Sequence, residues 1–125
     1  MYKGGIIVFK VIIAGTRNFN DYRMLCEYVD FKLSNIKEDI EIVSGRCRGA
    51  DLLGEKYDIE RGYKLKTFPA EWSKYGMSAG VRRNKEMARY ADALIVFWDG
   101  ESKGTTNMIV EAKKEGLKIG IKRYK

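Results

Sequence analysis

The chain of 125 residues has no histidine, two cysteines and one proline. Without histidine there is no imidazole for acid–base work, and zinc loses its most common nitrogen ligand. No serine or cysteine has a histidine partner for a nucleophilic triad. Cys26 and Cys47 show no metal spacing, so no metal site is expected. Their simplest state is a pair of reduced thiols, which points to a cytoplasmic protein. No apolar run is long enough to span a membrane. The longest, Gly4 to Ala14, is broken by Lys10. The start Met1-Tyr2-Lys3 before it loosely resembles a signal peptide, but no cleavage site follows, and the stretch reads as the first strand. No linker, repeat or low-complexity segment occurs. The P-loop pattern G-x-x-x-x-G-K-[ST] is missing, and the first turn is not the dinucleotide fingerprint G-x-G-x-x-G.

What is present suits one domain over residues 1–125. Hydrophobic residues make up 45%, enough for a real core. The net charge is +7, and it is uneven. Residues 1–62 carry ten basic and ten acidic side chains, whereas residues 63–125 carry fourteen and seven. The excess therefore lies in the second half, partly in Lys118, Lys122, Arg123 and Lys125. An anionic partner, nucleotide or nucleic acid, is one reading, and a solvated surface is the other.

Apolar, β-branched runs recur at 10–14, 40–43, 93–97 and 118–121, with a weaker one at 64–68. Near-continuous apolar runs suit strands buried on both faces, as in a parallel sheet. Amphipathic stretches lie between them. Asp21 to Ile36 places Leu25, Tyr28, Val29 and Leu33 at helical spacing, and Ala50 to Glu60 offers Ala50, Leu53 and Tyr57. Ala79 to Tyr90 is helical with a basic face, and Thr105 to Glu115 offers Met108, Ile109 and Ala112 before Gly116. The alternation predicts an α/β, Rossmann-like three-layer fold: a central, mainly parallel sheet of about five strands flanked by helices. The one proline, Pro69, opens the longest irregular stretch, 69–78. Its Trp72 and Tyr75 read either as a lid over a ligand or as rings that pin the loop to the body.

In such a sheet ligands bind beyond the carboxyl ends of the strands. Four glycine-bearing segments fall on that rim: Gly15-Thr16-Arg17-Asn18, Gly45-Arg46-Cys47-Arg48-Gly49-Ala50-Asp51, Gly80 to Asn84, and Asp99-Gly100-Glu101-Ser102-Lys103-Gly104-Thr105-Thr106. Glycine lets backbone N–H groups approach an anion, and arginine adds a planar fork that suits phosphate. Gly104 and Thr105 open a helix, so their N–H groups and the hydroxyl suit phosphate, with Lys103 adding charge. Ser102 or Thr105 also reads as the helix cap. Arg83 pairs with the same anion in this reading, and Arg82 is left as a surface residue. Asp51 either caps its own helix or accepts from a ribose hydroxyl. Arg17 reads as an anion ligand or as the partner of Asp21. Trp72 stacks on a base or packs in the core.

Together these segments, with Phe19, Asp21-Tyr22, Phe68-Pro69-Ala70-Glu71-Trp72, Tyr75-Gly76, Arg83-Asn84, Met87 and Asp99-Gly100, resemble the YspA-like (cpYpsA-related) branch of the SLOG superfamily. The likeness runs from about residue 10 to residue 121. It implies a Rossmann-like fold with a nucleotide-type ligand, such as a nucleotide or an ADP-ribose-like molecule, at the strand ends. SLOG relatives include the LOG nucleotide hydrolases, the single-stranded-DNA binder DprA, and sensors proposed for nucleotide-derived signals in bacterial and phage conflict systems. By analogy with them a homodimer is expected.

This chain departs from the family pattern in two turns. The usual Gly-Ser-Arg is here Gly15-Thr16-Arg17, which keeps the hydroxyl. Arg46 and Cys47 stand where the second turn usually has small residues, so Arg46 is expected to narrow the pocket or add charge beside Arg48. The likeness to LOG enzymes extends to Arg83 and Met87. Their Pro-Gly-Gly is absent, however, and Met108 stands where they carry a glutamate. If the chain cleaves its ligand, the candidate catalytic residues are Arg83, Glu71 and Asp51. The expectation is a ligand-binding or sensing domain that requires no cofactor. A LOG-like hydrolase is the alternative, and a DprA-like binder of single strands is the second alternative.

Overall fold

The computed structural model describes residues 7–125, so the Met1-Tyr2-Lys3 start and the first residues of the Gly4–Ala14 run lie outside the described residues. The strands are β1 (Val8–Gly15), β2 (Asp39–Ser44), β3 (Lys64–Thr67), β4 (Ala93–Trp98) and β5 (Lys118–Arg123). The helices are α1 (Tyr22–Leu33), α2 (Ala50–Arg61), the single turn α3 (Trp72–Tyr75), α4 (Ala79–Tyr90) and α5 (Lys103–Lys114). The strands form one five-stranded sheet in the order β3-β2-β1-β4-β5. Every pairing is parallel.

The strand sequences follow from their places. β1 and β4 are central and covered on both sides, so Val11 to Ala14 and Ala93 to Trp98 are consecutive apolar residues. Val11 and Ile13 face one layer with Leu25, Val29 and Leu33 of α1 and Tyr57 of α2. Ile12 and Ala14 face the other, with Met87 and Ala88 of α4 and Met108, Ile109 and Ala112 of α5. β3 and β5 are the edges, and their lysines (Lys64, Lys66, Lys118, Lys122) oppose further strand pairing.

Helix ends obey local chemistry. Asp21 caps α1 by accepting from the Met24 backbone N–H at 3.0 Å. It makes no ion pair with Arg17 among the described residues. α2 departs from its expected apolar face, because Asp51, Glu55 and Asp58 are buried beside Ala50 and Tyr57. Glu55 takes up polar partners: it accepts from the Ser44 hydroxyl at 2.7 Å and from Arg46 Nη1 at 2.8 Å. Asp58 Oδ1 has no hydrogen-bond partner among the described residues. Burial, with Glu55 and Glu41 nearby, pushes the Asp58 acid up to about 6.

The order positions the site. From β1 the chain winds outward to β2 and β3, then returns through α4 to place β4 on the other side of β1. α1 and α2 cover one face, α4 and α5 the other. The connections therefore diverge between β1 and β4 and leave a crevice beyond their carboxyl ends.

Candidate functional site

A cleft of about 540 Å³ occupies that crevice. Its floor is the turn after β1. The Thr16 N–H donates to the Phe97 carbonyl at 3.0 Å, and the Thr16 hydroxyl accepts from the Asp99 N–H at 3.2 Å. These bonds tie the β1 turn to the β4 turn. Asp99 in turn accepts from the N–H groups of Glu101 and Ser102, both at 2.9 Å, and they hold its carboxyl below the usual carboxylate range.

One wall is the turn from β2 into α2. Gly49 has φ +83°, and its Cα presses on the β1 turn: a Cβ there would stand 2.5 Å from the carbonyl oxygens of both Thr16 and Arg17. The two turns are thus packed backbone to backbone, and Arg17 of one and Arg48 of the other both line the cleft. Gly49→Ala forces a strained φ and a clash with backbone that cannot move aside. The expected loss is about 2–3 kcal/mol of unfolding free energy, read from urea denaturation. A loss below about 1 kcal/mol would show that the turn has slack.

Behind this wall Arg83 reaches in from α4 and is 8% exposed. Its Nη1 donates to the Gly45 carbonyl at 2.5 Å, its Nε to Asn84 Oδ1 at 2.9 Å, and its Nη2 to Cys47 Sγ at 3.5 Å. Asp51, 4% exposed, faces it across Gly45. A Cβ on Gly45 would lie 2.7 Å from Arg83 Nη1 and 2.8 Å from Asp51 Oδ2, so only glycine leaves room for both. The sequence favoured Asp51 as the cap of α2. Instead its side chain turns back to accept from the Cys47 N–H at 3.3 Å, and no side chain caps α2. Burial is the main influence on its acid and lifts it to about 7, against the opposing pull of Arg83 and of the Cys47 and Gly45 N–H groups.

The other wall is the start of α5. Ser102 caps it, accepting from the Thr105 N–H at 3.4 Å, while the Thr105 hydroxyl donates to Ser102 Oγ at 3.1 Å. Lys103 and Gly104 are exposed at this end and line the cleft. Asn84 joins the walls: it accepts from Arg83, and its Nδ2 donates to Asn107 Oδ1 at 2.8 Å and to the Gly104 carbonyl at 3.4 Å.

The roof comes from the 69–78 stretch. Trp72 is 49% exposed and lies along the cleft beside Gly80, where a Cβ would be 3.3 Å from its ring. It is therefore not a core tryptophan. Arg82 lies over the Tyr75 ring at 4.3 Å, so the loop is pinned to α4 by its rings and still presents one aromatic face to the cleft.

The geometry sorts the residues expected from the sequence. Gly15, Thr16, Arg17, Arg48, Asp51, Trp72, Arg83, Asn84, Ser102, Lys103, Gly104 and Thr105 all line the cleft. Gly45 and Gly49 stand behind the wall as the positions that permit close packing. Arg46 does not narrow the pocket. It adopts φ +65°, and its side chain pairs with Glu55 on α2. Glu71 is exposed at the start of α3 and does not line the cleft. Asn18, the last residue of the first rim segment, also lines the cleft, and sequence reasoning missed Met77 and Asn107. Asn107 follows Gly104 by one helical turn, which was the available signal.

Among the lining residues Asp51 is the one carboxylate, and Arg83 stands beside it. Arg17, Arg48 and Lys103 are exposed and take no part in any ion pair among the described residues. No cluster of three or more Cys, Asp or Glu among the described residues is placed to hold a metal ion. No helix among them is long and apolar enough to cross a membrane.

The family model described as "YspA, cpYpsA-related SLOG family" matches residues 9–75. The Gene 61 protein of Mycobacterium phage D29 is 30% identical over 116 residues, which cover 88% of this chain and 93% of that protein. No solved structure matches.

Proposed function

The chain belongs to the YspA, cpYpsA-related SLOG family, and from that membership and the cleft we propose that it binds or senses a nucleotide or nucleotide-derived small molecule at the carboxyl rim of its sheet. The observation that carries this reading is that Arg17, Arg48 and Lys103, unpaired among the described residues, line one cleft together with the first turn of α5. The backbone N–H of Gly104, exposed in the first turn of α5, suits a phosphate, and the exposed face of Trp72 suits a base. The buried Arg83 holds the wall in shape. The phage relative is compatible with a role in conflict between phage and host.

The test is a thermal-shift panel of nucleotides, with Lys103→Ala as control. A ligand at 100 times its Kd adds about 2.7 kcal/mol of stability, a shift of several degrees for a domain of this size. Lys103→Ala is expected to cut affinity about tenfold without lowering the Tm of the free protein. No shift with any nucleotide overturns the reading.

A second reading, cleavage of an N-glycosidic bond, has Asp51 in its favour. It is a carboxyl in the cleft wall whose acid, at about 7, suits proton transfer at neutral pH. Against it, the position where LOG enzymes carry a glutamate is Met108, 2% exposed. Intact AMP after prolonged incubation disposes of this second reading.

A further inference from the structure

We propose that Tyr124, one residue past β5, is a positioning residue for the cleft: it latches the turn that forms the cleft floor, so that a ligand in the cleft and the chain beyond β5 stabilise one another. This deepens the binding reading above and rests on it for the ligand alone. β5 is an edge strand, separated from β1 by β4. Even so, the Tyr124 hydroxyl reaches past the end of β4 and donates to Asn18 Oδ1 at 3.0 Å. Asn18 belongs to the turn after β1 and lines the cleft. The bond therefore joins two places 106 residues apart in sequence. It also settles which way the Asn18 amide is turned: Oδ1 is engaged, and the Nδ2 donors are left.

The ring of Tyr124 serves the same turn. It meets Phe19 edge-on with centroids 4.8 Å apart, and Phe19 stacks on Phe97 of β4, also at 4.8 Å. Phe19 is buried, and its N–H closes the turn on the Thr16 carbonyl at 3.1 Å. The floor is thus held by β4 and the loop after it, through Phe97 and Asp99, and in addition by Tyr124. Tyr124 has a weaker hold on its own neighbour strand: its N–H reaches the Trp98 carbonyl at 3.4 Å, near the limit of a hydrogen bond. A residue tied weakly to its strand and firmly to the cleft floor shares the order of that floor. By linkage the effect runs both ways.

Site-resolved hydrogen exchange on the full chain tests this, with titration of AMP beside it. Tyr124→Phe keeps the ring on Phe19 and removes the bond to Asn18. It is expected to speed exchange of the Thr16 and Phe19 amides about fivefold, while amides inside β1 and β4 change by less than about twofold. Asn18→Ala is expected to give the same acceleration, and the two substitutions together no more than either alone. AMP is expected to bind the Tyr124→Phe variant about threefold more weakly than the unaltered protein. Unchanged exchange at Thr16 and Phe19 overturns the latch. Equal acceleration throughout β1 and β4, or additive effects of the two substitutions, reduces Tyr124 to a general prop of the fold and overturns it as well. Equal AMP affinity for the two proteins overturns the coupling to the cleft. AMP binding to neither counts against the nucleotide reading, and the exchange results alone then uphold or overturn the latch.

Discussion

Arg83→Ala is expected to lower stability by about 3–5 kcal/mol at pH 8, and by distinctly less at pH 5. The side chain is buried and donates to the Gly45 carbonyl, to Asn84 and to Cys47. Truncation strands those acceptors and opens a cavity between α4 and the β2 turn. The pH dependence comes from Asp51. Arg83 is the foremost group that lowers the Asp51 acid against the effect of burial. Without it the acid rises above about 7. At pH 8 the variant must then either bury a lone carboxylate or hold a proton against the solution. At pH 5 Asp51 is protonated in both proteins, and only the lost contacts remain. Chemical denaturation at the two pH values measures the difference. An equal loss at both would show that Arg83 and Asp51 are not electrostatically coupled.

Asp51→Asn is expected to do the opposite. The acid stands near 3.9 in the unfolded chain and at about 7 in the fold. Because the folded value is raised, the native state holds the proton more tightly. The associated stability is complete below about pH 4 and is lost as pH rises through about 7. Three pH units correspond to about 4 kcal/mol. Asparagine has the shape of the neutral acid and its Oδ1 still accepts from Cys47. The variant should therefore match the parent near pH 4 and exceed it by about 2–4 kcal/mol at pH 8. Asp58, also raised, to about 6, acts in the same direction, so some decline with pH persists in the Asp51→Asn variant. Urea denaturation from pH 4 to pH 8 reads both slopes, and identical slopes would contradict a buried Asp51. If the carboxylate serves the ligand, the stabilised variant also binds less tightly, the usual trade between a strained site and a stable one.

The layers of this protein were legible because their signals are local. Apolar runs at 10–14, 40–43 and 93–97 became β1, β2 and β4, and the spacing of Leu25, Val29 and Leu33 became the buried stripe of α1. Turn glycines marked the rim for the same reason: a strand that must stop and a helix that must start leave their chemistry in adjacent residues. Asp51 and Arg46 were misplaced because their partners are not adjacent. The sequence offered Asp51 a cap position one turn away, whereas folding offered it the Cys47 N–H and Arg83. Arg46 beside Arg48 reads as a second pocket charge, yet Glu55 faces it across the first turns of α2 and takes it up. Asn107 went unnoticed because its use depends on α4 lying against α5.

By itself the sequence determined the parallel α/β scaffold, the strands that carry the rim, and the family to which the chain belongs. Each depends on periodicity and on short motifs that neighbours along the chain enforce. The tertiary structure alone decided which charges are free. Twenty-four basic residues, with the excess in the second half, pointed toward the tail. The cations left open at the cleft are instead Arg17 and Arg48 from the first half and Lys103 from the second. Whether a charge is spent or available depends on what stands opposite it. In a parallel sheet that neighbour arrives from distant sequence: Arg83 meets Gly45 from 38 residues away.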